Sequence, residues 1–231
     1  AGTSYHAGLV GKYLIETFAG IPVEVDYSSE FSLRKLAVDS KTLVIAISQS
    51  GETADTIEGL RHAKKYGFEV LGIVNRPEST IARESDYTIY INAGLEIGVA
   101  STKAYIGQVQ VLTLLALELG YIRGYLSGDE VEGMIKSMQE LPEKIEKVLA
   151  IDAHIAHIAE KIYKSENVMF LGRGLNYPTA LEGALKLKEV SYIHAIGYAA
   201  GEMKHGPLAL VDERLFVIII NPKTSVYELT L

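Results

Sequence analysis

Thr42-Leu43-Val44-Ile45-Ala46-Ile47, then Ser48-Gln49-Ser50-Gly51-Glu52-Thr53, then the periodic stretch 54–66, read as a strand, a turn and a helix. The first run is apolar without alternation, the pattern of a parallel strand covered by helices on both faces. A second run of this kind spans 215–220, and shorter strand candidates lie at 70–74, 87–91 and 168–171. Helical patterns fill the intervals at 54–66, 102–119, 130–149 and 152–164. Strand and helix alternate, so the expected class is α/β, with parallel sheets flanked by helices. Within 130–149, Met134, Met138, Leu141, Ile145 and Leu149 make one apolar stripe on a charged helix pair broken near Pro142, read as the connection between two halves.

The halves look like copies. Gly2 and Tyr5 recur as Gly174 and Tyr177, Glu30 recurs as Glu202, and the strand ending at Ser48 recurs as the one ending at Asn221. A shared offset across these landmarks signals internal duplication. The expected division is a first domain over 1–125, connecting helices over 126–165, and a second domain over 166–231. On the same arithmetic the second copy is incomplete, and the chain is expected to be a fragment lacking a few N-terminal residues and roughly 60 C-terminal ones.

A chain of 231 residues with 48% apolar and 22% charged side chains has enough hydrophobic material for one large domain or two modest ones. The most apolar stretch, 111–122, is interrupted by Thr113, Glu118 and Gly120, short of the roughly 20 uninterrupted residues of a membrane span. No membrane partner is expected, and no basic, apolar leader marks the chain for secretion. With no cysteine there is no disulfide framework, thiolate zinc site or cysteine nucleophile, and a cytoplasmic location fits. A net charge of −7 and the lack of a Lys/Arg stripe argue against nucleic acid as a partner.

The turn Ser48-Gln49-Ser50-Gly51-Glu52-Thr53 carries the strongest chemical signal. It lies where a strand ends and a helix starts, which is where open α/β sheets bind ligands. The helix directs free N–H groups and the positive end of its dipole at that turn, and Ser48, Gln49, Ser50 and Thr53 add neutral donors. A phosphate monoester suits such a site. There is no Walker lysine and no G-x-G-x-x-G, so no nucleotide cofactor is expected. The same residues would also serve an ordinary capped helix, with Ser50 as N-cap. Two further hydroxyl-bearing turns, Thr3-Ser4 and Ser101-Thr102, would line the same sheet edge and suit a polyhydroxyl ligand with a phosphate at one end.

In the helix 178–189, Glu182, Lys186 and Glu189 share a face, which is either a solvated stripe or a functional one. The segment 194–201 is nearly chargeless, rich in small residues and reads as a loop. It delivers Glu202, Lys204 and His205 in quick succession. Carboxylate, amine and imidazole brought together would suit proton transfer on a carbon acid. His154 and His157 have no third strong ligand nearby and read as the exposed side of a helix, so no metal is expected.

The turn 48–53, the stretch Glu96-Ile97-Gly98-Val99-Ala100-Ser101-Thr102-Lys103, the helix 180–189 and the segment Ala200-Gly201-Glu202-Met203-Lys204-His205-Gly206-Pro207 together resemble the isomerase domains of the glucosamine-6-phosphate synthase family, the glutamine:fructose-6-phosphate aminotransferases. The resemblance runs in order across nearly the whole chain and implies two sugar isomerase (SIS) folds in tandem, the second one truncated. It implies that Ser48, Gln49, Ser50 and Thr53 hold the phosphate of a hexose 6-phosphate, and that Thr3, Ser4, Val99 and Ser101 contact the sugar. It further implies that Glu189 moves the proton between C1 and C2, that Lys186 assists at the neighbouring oxygen, and that His205 opens the ring. In the family that histidine comes from the adjacent subunit, which implies a homodimer. Where the family has Cys before Gly-Thr-Ser, this chain has Ala1. The family's glutaminase domain and lysine-bearing C-terminal tail do not match any part of this chain.

Two rivals remain at the level of sequence. One is a non-catalytic SIS module that senses a sugar phosphate, with its acid and base residues forming a salt-bridged face. The other is an isomerase that never aminates.

Overall fold

The structure, a computed structural model, describes residues 1–37 and 41–230, so Leu231, the last position in the duplication register, lies outside the described residues. The chain divides into two units, Ala1–Ala116 and Leu117–Leu231.

The first unit runs α1 (Thr3–Ala19), α2 (Ser28–Phe31), β1 (Leu43–Ser48), α3 (Ala54–Lys65), β2 (Glu69–Val74), α4 (Thr80–Glu84), β3 (Tyr87–Tyr90) and the greater part of α5 (Lys103–Ile122), which crosses the boundary between the units. Its strands pair in the order β1-β2-β3, all parallel, with Val44 opposite Val70 and Val74 opposite Tyr90. The central strand β2 is buried at every position after its first. Period-two geometry explains why. Val70 and Val74 pack with Leu60 and Ala63 of α3 and Ile81 of α4, while Leu71 and Ile73 pack with Ala7 of α1 and Leu112 of α5. Each large aliphatic side chain so buried contributes about 1.5–3 kcal/mol. α5 is long and apolar enough to cross a membrane by length and composition alone, yet its Leu112, Val109 and Leu115 pack into this sheet core.

The reading of Thr3-Ser4 as part of a turn is corrected: Thr3 is the first residue of a 17-residue helix that follows Gly2, whose φ is 51°. Gly8 and Gly11 weaken the helical signal in sequence. In the fold they permit close approach, since a Cβ on Gly11 would lie 3.1 Å from the Leu112 methyls.

The second unit contains α6 (Gly128–Gln139), α7 (Leu141–Leu149), α8 (Asp152–Ile162), β4 (Asn167–Gly172), α9 (Asn176–Ser191), β5 (His194–Ala199), two 3-10 helices (Ala200–His205 and Pro207–Leu210) and β6 (Phe216–Ile220). A Ser127–Glu130 capping box starts α6, and Pro142 sits in the first turn of α7, where its missing N–H costs no hydrogen bond. The parallel strand order is β5-β4-β6. The loop reading of 194–201 is corrected, because most of it is β5, paired with β4 from Asn167↔His194 to Gly172↔Ala199. Its small residues have a steric cause: a Cβ on Gly197 would lie 2.9 Å from the Leu181 α-carbon and 3.0 Å from the Ala180 carbonyl of α9.

The two units share a local signature. Gly2 and Gly174 are both left-handed, at φ 51° and 56°. Tyr5 N–H donates to Gly2 O at 3.0 Å, and Tyr177 N–H donates to Gly174 O at 3.0 Å. Likewise Ser4 N–H reaches Ala1 O at 3.2 Å and Asn176 N–H reaches Arg173 O at 3.1 Å. The two helix starts thus match in backbone hydrogen bonding as well as in residue identity.

Candidate functional site

β1 ends at the buried Ser48, and the chain turns through Gly51, at φ 66°, before α3 begins. Gly51 N–H donates to Ser48 Oγ at 3.1 Å, Ser48 Oγ and Thr53 Oγ1 lie 3.1 Å apart, and Glu52 N–H donates to Ser50 Oγ at 3.1 Å. Ser50 is therefore not the N-cap of α3, as the capped-helix reading had it. Thr53 holds that place, and its side chain makes no capping bond. The first N–H groups of an α-helix have no partner within the helix, so the start of α3 directs donors at a turn lined by hydroxyls and the Gln49 carboxamide.

Asp55 lies exposed in the first turn of α3 itself, whereas Glu52 and Glu96 serve other helices. Glu52 Oε1 accepts from Thr80 N–H at 2.8 Å, at the start of α4. Its pKa is held below the ordinary carboxylate value, first by that backbone donor and then by the Thr80 side chain. Glu96 does the same for α5, accepting from Thr102 N–H at 2.8 Å, Ala104 N–H at 3.5 Å, Ser101 Oγ at 3.1 Å and Thr102 Oγ1 at 3.3 Å. Partial burial pushes the Glu96 carboxyl upward, but these donors together outweigh it and the net shift is down. An anion at the start of α5 would meet a carboxylate already in place.

Parallel pairing sets the loops after β1, β2 and β3 along one sheet edge. The loop after β2 and the start of α4 brace the turn after β1: Asn75 N–H donates to Gln49 O at 3.1 Å and Ile81 N–H to Gly51 O at 3.0 Å. The Asn75 side chain also holds the loop after β3, donating to Gly94 O at 2.7 Å and accepting from Ala93 N–H at 2.8 Å. Beyond it Val99 is fully exposed. Thr3 is buried, and Ser4, half-buried in the first turn of α1, accepts from Gln108 Nε2 at 3.0 Å. Neither Asn75 nor Gln108 is a site residue in the sequence reading. Gln108 was detectable as a polar interruption in an apolar helix, whereas Asn75 acts through partners distant in sequence.

In the second unit α9 brings Glu182, Lys186 and Glu189 together. Lys186 Nζ pairs with Glu189 Oε2 in a short contact and lies 3.5 Å from Glu182 Oε1. Glu182 is only 6% exposed, while Lys186 and Glu189 retain access to solvent. A purely solvated stripe would not bury a carboxylate, since an unpaired buried charge is strongly disfavoured. Glu202, Lys204 and His205 do not converge as their spacing suggested. All three are exposed along the 3-10 segment, and among the described residues they share no hydrogen bond or ion pair with one another or with Glu189. His154 and His157 lie on exposed α8 positions, and His157 Nδ1 is 3.7 Å from Glu160. Among the described residues no group of three or more His, Asp and Glu side chains is arranged to hold a metal.

Comparison with known proteins adds the following. The SIS domain family matches residues 1–118 and 161–231. A glutamine–fructose-6-phosphate aminotransferase (isomerizing) of Thermus thermophilus is 52% identical over 230 residues, covering 100% of this chain and 38% of its own length. The enzyme of the same name from Chlorobaculum tepidum is 54% identical over 226 residues, covering 98% of this chain and 37% of its own length. This chain therefore spans well under half of these relatives. Among solved structures, the C-terminal domain of glucosamine-fructose-6-phosphate aminotransferase from Francisella tularensis superposes with a TM-score of 0.97 at 43% identity, covering 100% of this chain and 66% of that one.

Proposed function

The chain belongs to the SIS domain family, and on that premise we propose that it is the sugar-phosphate isomerase part of a glutamine–fructose-6-phosphate aminotransferase. Its two SIS domains, over 1–125 and 166–231, are joined by the helices of 126–165. In this reading the first unit grips the phosphate of fructose 6-phosphate with Ser48, Gln49, Ser50, Thr53 and the N–H groups that open α3. Thr3, Ser4, Val99 and Ser101 contact the sugar. The single observation that carries the assignment is the hydroxyl cluster of Ser48, Ser50 and Thr53 at the uncapped start of α3, with Glu52 turned away to the start of α4.

Proton transfer falls to α9. A carboxylate can take the proton from one of the adjacent carbons C1 and C2 and return it to the other through an enediol-like intermediate. Glu189 is that base. Lys186, held by Glu182 and Glu189, presents an ammonium to the neighbouring oxygen, where negative charge develops. His205 opens the ring and, by family resemblance, is supplied by the partner copy of a homodimer. The reaction needs no cofactor or metal. Ammonia comes from a glutaminase domain carried elsewhere in the longer relatives, and the setting is cytoplasmic.

The test is Glu189→Gln. The variant should bind fructose 6-phosphate with an unchanged dissociation constant and lose exchange of the C1/C2 proton with solvent, followed by NMR in D2O. Persistent exchange in the variant means that the base is misassigned. Binding without any exchange in the unaltered chain would make the domain a sensor of sugar phosphates and not an isomerase.

A further inference from the structure

Gln108 is 1% exposed on α5, a helix whose Ala104, Leu112 and Ala116 belong to the core. Its Nε2 donates to Ser4 Oγ at 3.0 Å, but its buried Oε1 has no hydrogen-bond partner. A carboxamide buried with one half unsatisfied costs stability that an apolar side chain of the same size would not. One turn along α5, Leu112 lies so close to α1 that a Cβ on Gly11 would come within 3.1 Å of its methyls. Packing alone would therefore be served better by methionine or leucine at position 108. What glutamine adds is a donor aimed at Ser4.

We infer that Gln108 is a positioning residue that acts through Ser4, orienting the serine hydroxyl so that its proton faces the ligand. A serine hydroxyl has one proton and two acceptor sites. With one acceptor site filled by the Gln108 amide, rotation about the Cβ–Oγ bond is restricted before the ligand arrives, which cuts the ordering cost of binding. Ser4 is partly exposed and Gln108 is not, so the serine touches the ligand and the glutamine only sets its direction. The Ser4 backbone is itself fixed, because its N–H donates to Ala1 O at 3.2 Å. This inference rests on the sugar-phosphate reading and adds to it a residue that no ligand contacts.

The experiment is a double-mutant cycle, titrating fructose 6-phosphate calorimetrically into the unaltered chain, Gln108→Met, Ser4→Ala and the double variant. Gln108→Met should keep or raise the melting temperature and weaken binding about five- to tenfold, the loss of roughly one oriented hydrogen bond. Ser4→Ala should weaken it to a similar degree, and the double variant should bind no more weakly than Ser4→Ala. If methionine lowers the melting temperature, Gln108→Leu replaces it in the same cycle. Unchanged affinity in the position-108 variant, or losses that multiply in the double variant, would overturn the inference while leaving the sugar-phosphate site standing. No binding of fructose 6-phosphate to the unaltered chain would overturn that site, and this inference with it.

Discussion

The main-chain N–H of Asn75 donates to the carbonyl of Gln49 across 3.1 Å, tying the loop that follows β2 to the hydroxyl-rich turn that follows β1. Because the Asn75 side chain also grips Gly94 O and Ala93 N–H, one residue sets the spacing of three loops on the sheet edge. Asn75→Ala keeps the main-chain bond and loses both side-chain bonds. We predict a loss of about 1–2 kcal/mol in urea unfolding, with weaker fructose 6-phosphate binding by calorimetry. An unchanged unfolding midpoint would show that the loops hold their spacing without it.

Gly51 is constrained twice. Its φ of 66° is left-handed, and a Cβ there would lie 2.0 Å from Ser79 Oγ and 2.5 Å from Ser79 Cβ. Gly51→Ala should destabilise the chain and abolish binding at the turn. Adding Ser79→Gly removes the clash but leaves the left-handed strain of about 1–2 kcal/mol. The double variant should therefore recover part of the lost melting temperature and not all of it. Full recovery would mean that the backbone angle carries no cost.

Acid should loosen the edge loops before it unfolds the core. The Glu52 and Glu96 carboxyls both titrate below their ordinary value of 4.5 in the folded chain. A carboxyl whose folded pKa is depressed contributes stability that is complete above the unfolded value and is lost as pH falls through the folded value. From pH 7 to about 5 these two groups therefore leave stability flat, and below their ordinary value of 4.5 their contribution declines. Glu96→Gln should flatten the decline in urea midpoint as the pH falls below 4.5. A variant with the same acid slope as the unaltered chain would contradict the assignment.

Much of this architecture was readable from residue order. The continuous apolar runs 42–47 and 215–220 marked strands, and β1 and β6 lie within one residue of them, but the expected cover on both faces fails for β6, an edge strand with no buried position and with Ile219 exposed. The turn 48–53 stood out because a strand runs into it and a helix leaves it. What escaped has a common cause, close backbone contact that favours small residues and blurs periodicity. α1 hides behind Gly8 and Gly11, which accommodate Val25 and Leu112, and β5 hides behind Gly197, which lies against α9. The Glu182–Lys186–Glu189 face was legible from helical spacing, but the burial of Glu182 was not. The expected convergence of Glu202, Lys204 and His205 failed, since all three are exposed along the 3-10 segment and share no hydrogen bond or ion pair among the described residues.

Where the phosphate sits decides between the start of α3 and every other placement of the sugar. A crystal of this chain soaked in fructose 6-phosphate should show the phosphate within hydrogen-bonding distance of the first N–H groups of α3 and of the Ser48, Ser50 and Thr53 hydroxyls. Phosphate density at the start of α5, or anywhere else away from that turn, would contradict it.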